Sequence, residues 1–229
     1  MTTLELLETK HNFTFPTLFK TLFEADILDW TRGFEIPLEE GKSWAADIYP
    51  TLKAKPPLFL HSGGLDFELL SPKEILNFTF PSEWDTNTHH FIPFAKDAEG
   101  NYYAFYNTVK VQEETPIVFI WKDDEAEYIA KNYEDFIFSK MMESSNKIDK
   151  DDLHADYGQD NPLELYRTDL KADLESIRPY LKEEYTAIIE ETYNAEAVET
   201  LIAYGFEMTT DISDMLDFEL MGEVFEHEL

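Results

Sequence analysis

The sequence contains no cysteine. A disulfide framework, a thiolate nucleophile and a zinc ribbon are therefore excluded. Basic residues are scarce: 18 Lys and Arg stand against 48 Asp and Glu, a formal net charge of −30. Direct binding of DNA or RNA needs Lys and Arg clusters that displace counterions from phosphates, so this charge argues against a nucleic-acid partner. It argues equally against docking on an anionic membrane surface. No apolar run approaches the ~18 residues of a membrane span. The densest run, residues 117–121, is five residues long. Residues 1–10, MTTLELLETK, carry neither a basic n-region nor a long apolar h-region, so we expect no signal peptide and a cytoplasmic chain. Glycine is limited to 8 positions. Ser62-Gly63-Gly64 lacks both the GxGxxG spacing and the lysine of a P-loop, and reads as a turn.

Hydrophobic residues make up 43% of the 229, with 18 Phe, 12 Tyr and 4 Trp, so a sizeable core can be buried and wholesale disorder is excluded. Leu18, Phe19, Leu22, Phe23, Ile27 and Leu28 repeat at helical spacing, predicting a helix over 17–29 with Pro16 at its opening. Trp44, Ile48, Tyr49 and Leu52 form a second stripe that must end before Pro56-Pro57. Strands are expected at 58–61, 66–70, 90–95, 102–107 and 117–121, with a turn at 97–101 whose tip is Gly100. Their connections are of hairpin length, which predicts an antiparallel sheet. A helix over 124–141 follows, with Asp123 and Asp124 as cap and first-turn acids and Ala126, Ile129, Ala130, Tyr133, Phe136 and Ile137 as its buried stripe.

Residues 144–162 hold five aspartates and few apolar residues and read as a linker or long loop. Beyond it, Leu165, Leu170, Leu174 and Ile177, a shorter stretch over 183–192, and Val198, Leu201 and Ile202 predict further helices, the last closed by Gly205. Residues 161–229 alone carry 18 acidic and 4 basic side chains. The division expected is therefore residues 1–145 as one domain and 146–229 as an acidic, mostly helical extension. The fold class is α+β, with a central antiparallel sheet flanked by helices and a helical acidic C-terminal extension.

Little in the chain suggests catalysis. His89-His90 on a strand would point to opposite faces, which does not suit a shared metal, and no His pair has the i, i+4 spacing of a helical zinc site. DKDDLHADYGQD, residues 149–160, has the length of a calcium loop, but His154 stands where glycine is needed and Asp160 replaces the bidentate Glu. No GxSxG elbow occurs. We expect no enzyme, no cofactor and no metal. The acids instead suit a basic partner, since carboxylates at phosphate-like spacing can fill the basic cleft of a nuclease. Two groups could supply such a surface: Asp123, Asp124, Glu125 and Glu127, and, in the extension, Glu183, Glu184, Glu190 and Glu191. A solvated helix face is the alternative for each.

Several segments in order resemble one family. They are PTLFKTLFEADILDW (16–30), IYPTLKAKPPLFL (48–60), LDFELLSPKEI (65–75), FIPFAKDAEGNYYAFY (91–106) and PIVFIWKDDEAEYIAKNYEDFIFSKM (116–141). Together they resemble the SUKH superfamily, founded on the Smi/Knr cell-wall regulators of fungi, over residues 13–143. The resemblance implies an α+β domain with a central antiparallel sheet and flanking helices. It also implies a role as an immunity protein, which neutralises a toxin delivered between competing bacteria by binding and without catalysis. Trp30, Pro93 and Gly100 are then structural: a core aromatic, a strand end and a hairpin tip. Glu24-Ala25-Asp26 stands where the family usually has a short polar stretch with glycine. The partner implied is a cognate toxin, and the acids suit one with a basic active-site cleft; the alternative is a scaffold or regulatory domain acting on an endogenous protein.

Overall fold

A computed structural model of the chain describes all residues except 32, 35–37, 54, 62–66, 82–87, 123–125, 146–149, 159 and 195–229, and only the backbone at 150–152 and 156. Among the described residues lie eight α-helices and one five-stranded sheet. The helices are α1 (Thr3–His11), α2 (Thr17–Glu24), α3 (Tyr49–Leu52), α4 (Pro72–Asn77), α5 (Tyr133–Ser144), α6 (Lys150–Tyr157), α7 (Pro162–Ile177) and α8 (Glu183–Tyr193). The strands are β1 (Glu68–Leu69), β2 (Phe91–Lys96), β3 (Tyr102–Tyr106), β4 (Ile117–Ile120) and β5 (Ala126–Ala130), antiparallel in sequential order. The α+β class and the antiparallel sheet are as the sequence predicts.

The chain clusters into two compact units. In described residues they are 1–20 with 67–140, and 21–61 with 141–194.

The first unit contains the sheet. Along β3 the side chains alternate faces. Ala104 and Tyr106 join Phe91, Val118 and Ile120 on one side, with Phe80, Tyr102, Val109, Ala126 and Tyr128 packed against them. Phe105 meets Phe13, Phe15, Phe19, Phe94 and Tyr133 at centroid separations of 4.9–5.7 Å. The sheet is thus covered by aromatic rings, each burying a large apolar area with edge-on or tilted geometry. Gly100 has φ 89° at the tip of the β2–β3 turn, as expected of a hairpin glycine.

Four expectations for this unit need correction. Pro93 is not a strand end: β2 runs through it, and the register slips between Pro93 and Ala95. A bulge is where an interior strand tolerates a missing N–H. Residues 126–130 are strand β5, paired with β4, and not the start of a helix over 124–141. The helix begins at Tyr133, where the Asn132 side chain accepts from the Asp135 N–H at 2.9 Å. The apolar spacing of Ala126, Ile129, Ala130 and Tyr133 fits a helix by coincidence, because strand and helix meet within it. Two short helices, α1 and α4, were not expected, yet each opens with a reciprocal capping box, Thr2 with Glu5 and Ser71 with Glu74.

The second unit is helical. Its part of α2 ends at Glu24, five residues before the predicted 29. The Ile27 N–H bonds the Leu22 carbonyl at 2.9 Å and the Asp26 N–H bonds that of Phe23 at 3.2 Å, with Asp26 at φ 58°. This is a Schellman stop with aspartate in the left-handed position glycine usually takes. The stripe from Trp44 is helical, as a π turn over Trp44–Ile48 leading into α3. Residues 58–60 form a turn and not a strand. Phe59 has φ 60° and the Leu60 N–H is spent on the Pro57 carbonyl at 3.1 Å. Trp30, expected as a core aromatic, is only half-buried and acts as a brace: its indole N–H donates to the Leu58 carbonyl at 2.8 Å, and its own carbonyl accepts from Trp44 at 3.3 Å.

The expected linker holds α6. Leu153 and Tyr157, at i and i+4 among the aspartates, supply its inner side, with Leu153 buried and Tyr157 edge-on to Tyr166 at 5.7 Å. On α7 the buried stripe is Tyr166, Leu170, Asp173, Leu174 and Ile177. Leu165, expected there, is 47% exposed because it sits about 100° round the helix from Tyr166. The Ser62-Gly63-Gly64 turn, the Asp123-Asp124 cap, and the helix of Val198, Leu201 and Ile202 closed by Gly205 lie outside the described residues.

Candidate protein-binding surface

On α8, Tyr185, Thr186, Ile189, Thr192 and Tyr193 are buried, at the i, i+4, i+7 and i+8 spacing of one helix face. The opposite face is left to Glu183, Glu184, Glu190 and Glu191, all exposed. The structure therefore gathers these four predicted acids on one face. Glu183 and Glu184 occupy the first turn, where the helix dipole favours negative charge. Glu190 is shared with a cation: Arg178 donates to it at 3.2 Å and to Glu175 at 2.7 Å. The hydrogen bond donated to Glu175 and the charge of both carboxylates outweigh partial burial and hold the guanidinium above its ordinary pKa. Among the described residues no basic side chain pairs with Glu183, Glu184 or Glu191. Their charge is the surplus of this face.

The other predicted group is not brought together within the described residues. Asp123, Asp124 and Glu125 lie outside them, and Glu127 is an exposed residue of β5 opposite Phe119. Glu127 belongs to the first unit and α8 to the second.

The family model described as SMI1 / KNR4 family (SUKH-1) matches residues 2–139. The chain belongs to this family. No curated protein and no solved structure matches it. The SUKH-1 match spans α1 through β5 and most of α5, and leaves α6, α7 and α8 outside.

Hydrogen bonds in the second unit join the SUKH-1 segment to those outer helices. His61, inside the match, is buried with Asp173 of α7: Nδ1 lies 2.9 Å from Oδ1, and the His61 N–H donates to Oδ2 at 2.9 Å. Ser176 Oγ donates to the Pro56 carbonyl at 2.5 Å. The last turn of α5 leaves carbonyls without helical partners. Tyr193 donates to that of Met141 at 2.6 Å, and Tyr166 donates to that of Ser144. Burial pushes both phenols far above the usual tyrosine range, so they remain protonated donors. Sequence reading missed this set. The available signal was Asp173 itself, an acid placed on the apolar stripe of α7 between Leu170 and Leu174.

His89 and His90 part ways. His89 is buried, with Nδ1 2.9 Å from the Tyr106 hydroxyl and its ring stacked on Phe91, while His90 Nδ1 lies 3.2 Å from the Asn107 amide. No group of three or more His, Asp or Glu among the described residues is placed as a metal site would need. No described helix is long and apolar enough to cross a membrane.

Proposed function

We propose that this SUKH-1 protein is a non-catalytic immunity protein of the cytoplasm, which binds and neutralises a toxin delivered between competing bacteria. The observation that carries this reading is the outward face of α8, which holds more carboxylates than Arg178, paired with it from the preceding turn, can balance, on a chain of net charge −30. Such a face complements a toxin domain whose active-site cleft is basic because it handles an anionic substrate. Family membership supports binding rather than turnover. The same charge disfavours nucleic acid and anionic membrane as partners. The division into residues 1–145 and an acidic extension, 146–229, belongs to this reading: the extension supplies the charge and the SUKH-1 segment the platform.

Charge reversal tests it. Glu183, Glu184, Glu190 and Glu191 changed together to Lys should weaken the complex with the cognate toxin by several kcal/mol, through like charges set face to face. Reversal of Asp123, Asp124, Glu125 and Glu127 should cost tenths of a kcal/mol at physiological salt, where the Debye length is about 8 Å. Affinity unchanged in the first variant overturns the α8 surface. Metal-dependent turnover by the purified protein, abolished by a single His or carboxylate substitution, would replace the reading with an enzyme. An endogenous, non-toxin partner captured through the α8 face would favour the scaffold alternative.

A further inference from the structure

The first unit has a pocket of about 520 Å³, within the range of small-molecule sites. Phe78, Phe80 and Phe91 line it with apolar surface, and its ionisable lining is Lys10, His11 and His90. Among the described residues no carboxylate lines it, although acids outnumber bases 48 to 18 in the chain. The pocket therefore carries the sign of charge opposite to the protein's own.

Local structure fixes each polar group. The Lys10 ammonium reaches three carbonyls at the end of α4: Ile75 at 3.5 Å, Phe78 at 3.2 Å, and Leu76. It is thereby anchored at the pocket wall and contributes charge rather than a directed donor. His11 Nε2 donates to the Ile75 carbonyl at 3.1 Å. Burial holds this imidazole below its ordinary pKa, and the charges of Lys10 and His90 push in the same direction against the Ile75 hydrogen bond. His90 receives the Asn107 amide at Nδ1, which leaves the ring proton on Nε2 as a donor.

We propose that this pocket binds a small aromatic carboxylate, its ring against Phe78, Phe80 and Phe91 and its carboxylate toward Lys10 and His90. An aromatic ring matches the walls by edge and face contacts. A carboxylate supplies the counter-charge the lining lacks and accepts from the His90 N–H, a charge-assisted bond of the stronger class. The pocket belongs to the first unit and the α8 face to the second, and the proposal does not rest on the toxin-binding reading.

Calorimetric titration of the full chain with phenylacetate and with its neutral counterpart phenylacetamide tests the proposal, with backbone and imidazole NMR shifts locating the ligand. Saturable one-to-one binding of phenylacetate is expected, with shifts at His11 and His90, and the amide at least tenfold weaker. His90→Leu should weaken phenylacetate about tenfold, the loss of one charged hydrogen bond. Phe80→Ala should weaken both ligands, which keeps the test decisive should the His90 variant fold poorly. No saturable binding, equal affinity for the amide, or binding unchanged in both folded variants overturns the proposal.

Discussion

At the scale of single residues, the fold buries polar side chains in pairs. His61 and Asp173 are 6% and 4% exposed. Asp173 takes both the His61 ring and the His61 backbone N–H. Its removal leaves two buried groups without their partner, and each such unsatisfied group costs about 1–3 kcal/mol. Asp173→Ala should therefore lower the unfolding free energy by that amount for each group in urea titration, whereas a loss below about 1 kcal/mol would mean that water reaches His61. His11 gives a second expectation. Burial lowers its pKa in the folded state, so the folded chain binds fewer protons there than the unfolded chain. Its contribution is constant above the ordinary value of 6.5 and turns unfavourable as pH falls below that value. Unfolding free energies measured on both sides of 6.5 should show the decline, and His11→Gln should flatten it.

At the scale of elements, α7 and α8 complete the end of α5. Tyr166 and Tyr193 satisfy carbonyls of its last turn, and Leu170, Leu174, Ile177 and Ile189 are each at most 1% exposed. Four such side chains contribute about 1.5–3 kcal/mol each on burial, which together is comparable to the whole stability of a domain. A chain ending at Ser145 should therefore lose cooperative unfolding in the 21–61 region, seen as fast amide exchange at Leu52 and Leu58. Protection there equal to that of the full chain would show that the helices beyond the SUKH-1 match are dispensable. The match covers residues 2–139, and the hydrogen bonds of His61 and Pro56 tie that segment to a helix outside it.

At the scale of the whole molecule, the net charge of −30 acts as a field. Opposite fields speed encounter and leave the interface centre to hold the complex. Association with a basic toxin should slow steeply as salt rises from about 0.05 to 0.5 M, while dissociation changes little, in stopped-flow measurements. An association rate flat in salt would reduce the charge to a solubility device.

The α+β class, the order of strands β1 to β4, the Gly100 hairpin and the run of helices beyond residue 160 were legible in the sequence because each rests on local pattern: alternation, turn chemistry or helical spacing. So was the outward group of Glu183, Glu184, Glu190 and Glu191, since residues seven apart return to one helix face. Capping boxes at Thr2 and Ser71, and Asn132 before Tyr133, were equally local signals and could have placed α1, α4 and the start of α5. Tertiary structure decided the rest. Residues 126–130 became a strand because β4 offered them a hydrogen-bonding edge, which no periodicity within the segment reveals. Residues 58–60 became a turn because buried contacts hold Phe59 in a left-handed backbone that its own preferences oppose. The His61–Asp173 pair spans 112 positions, and the Lys10, His11 and His90 pocket draws on three separate segments. Local propensity extends over a few residues, whereas such juxtapositions arise only when burial of distant apolar faces brings the segments together.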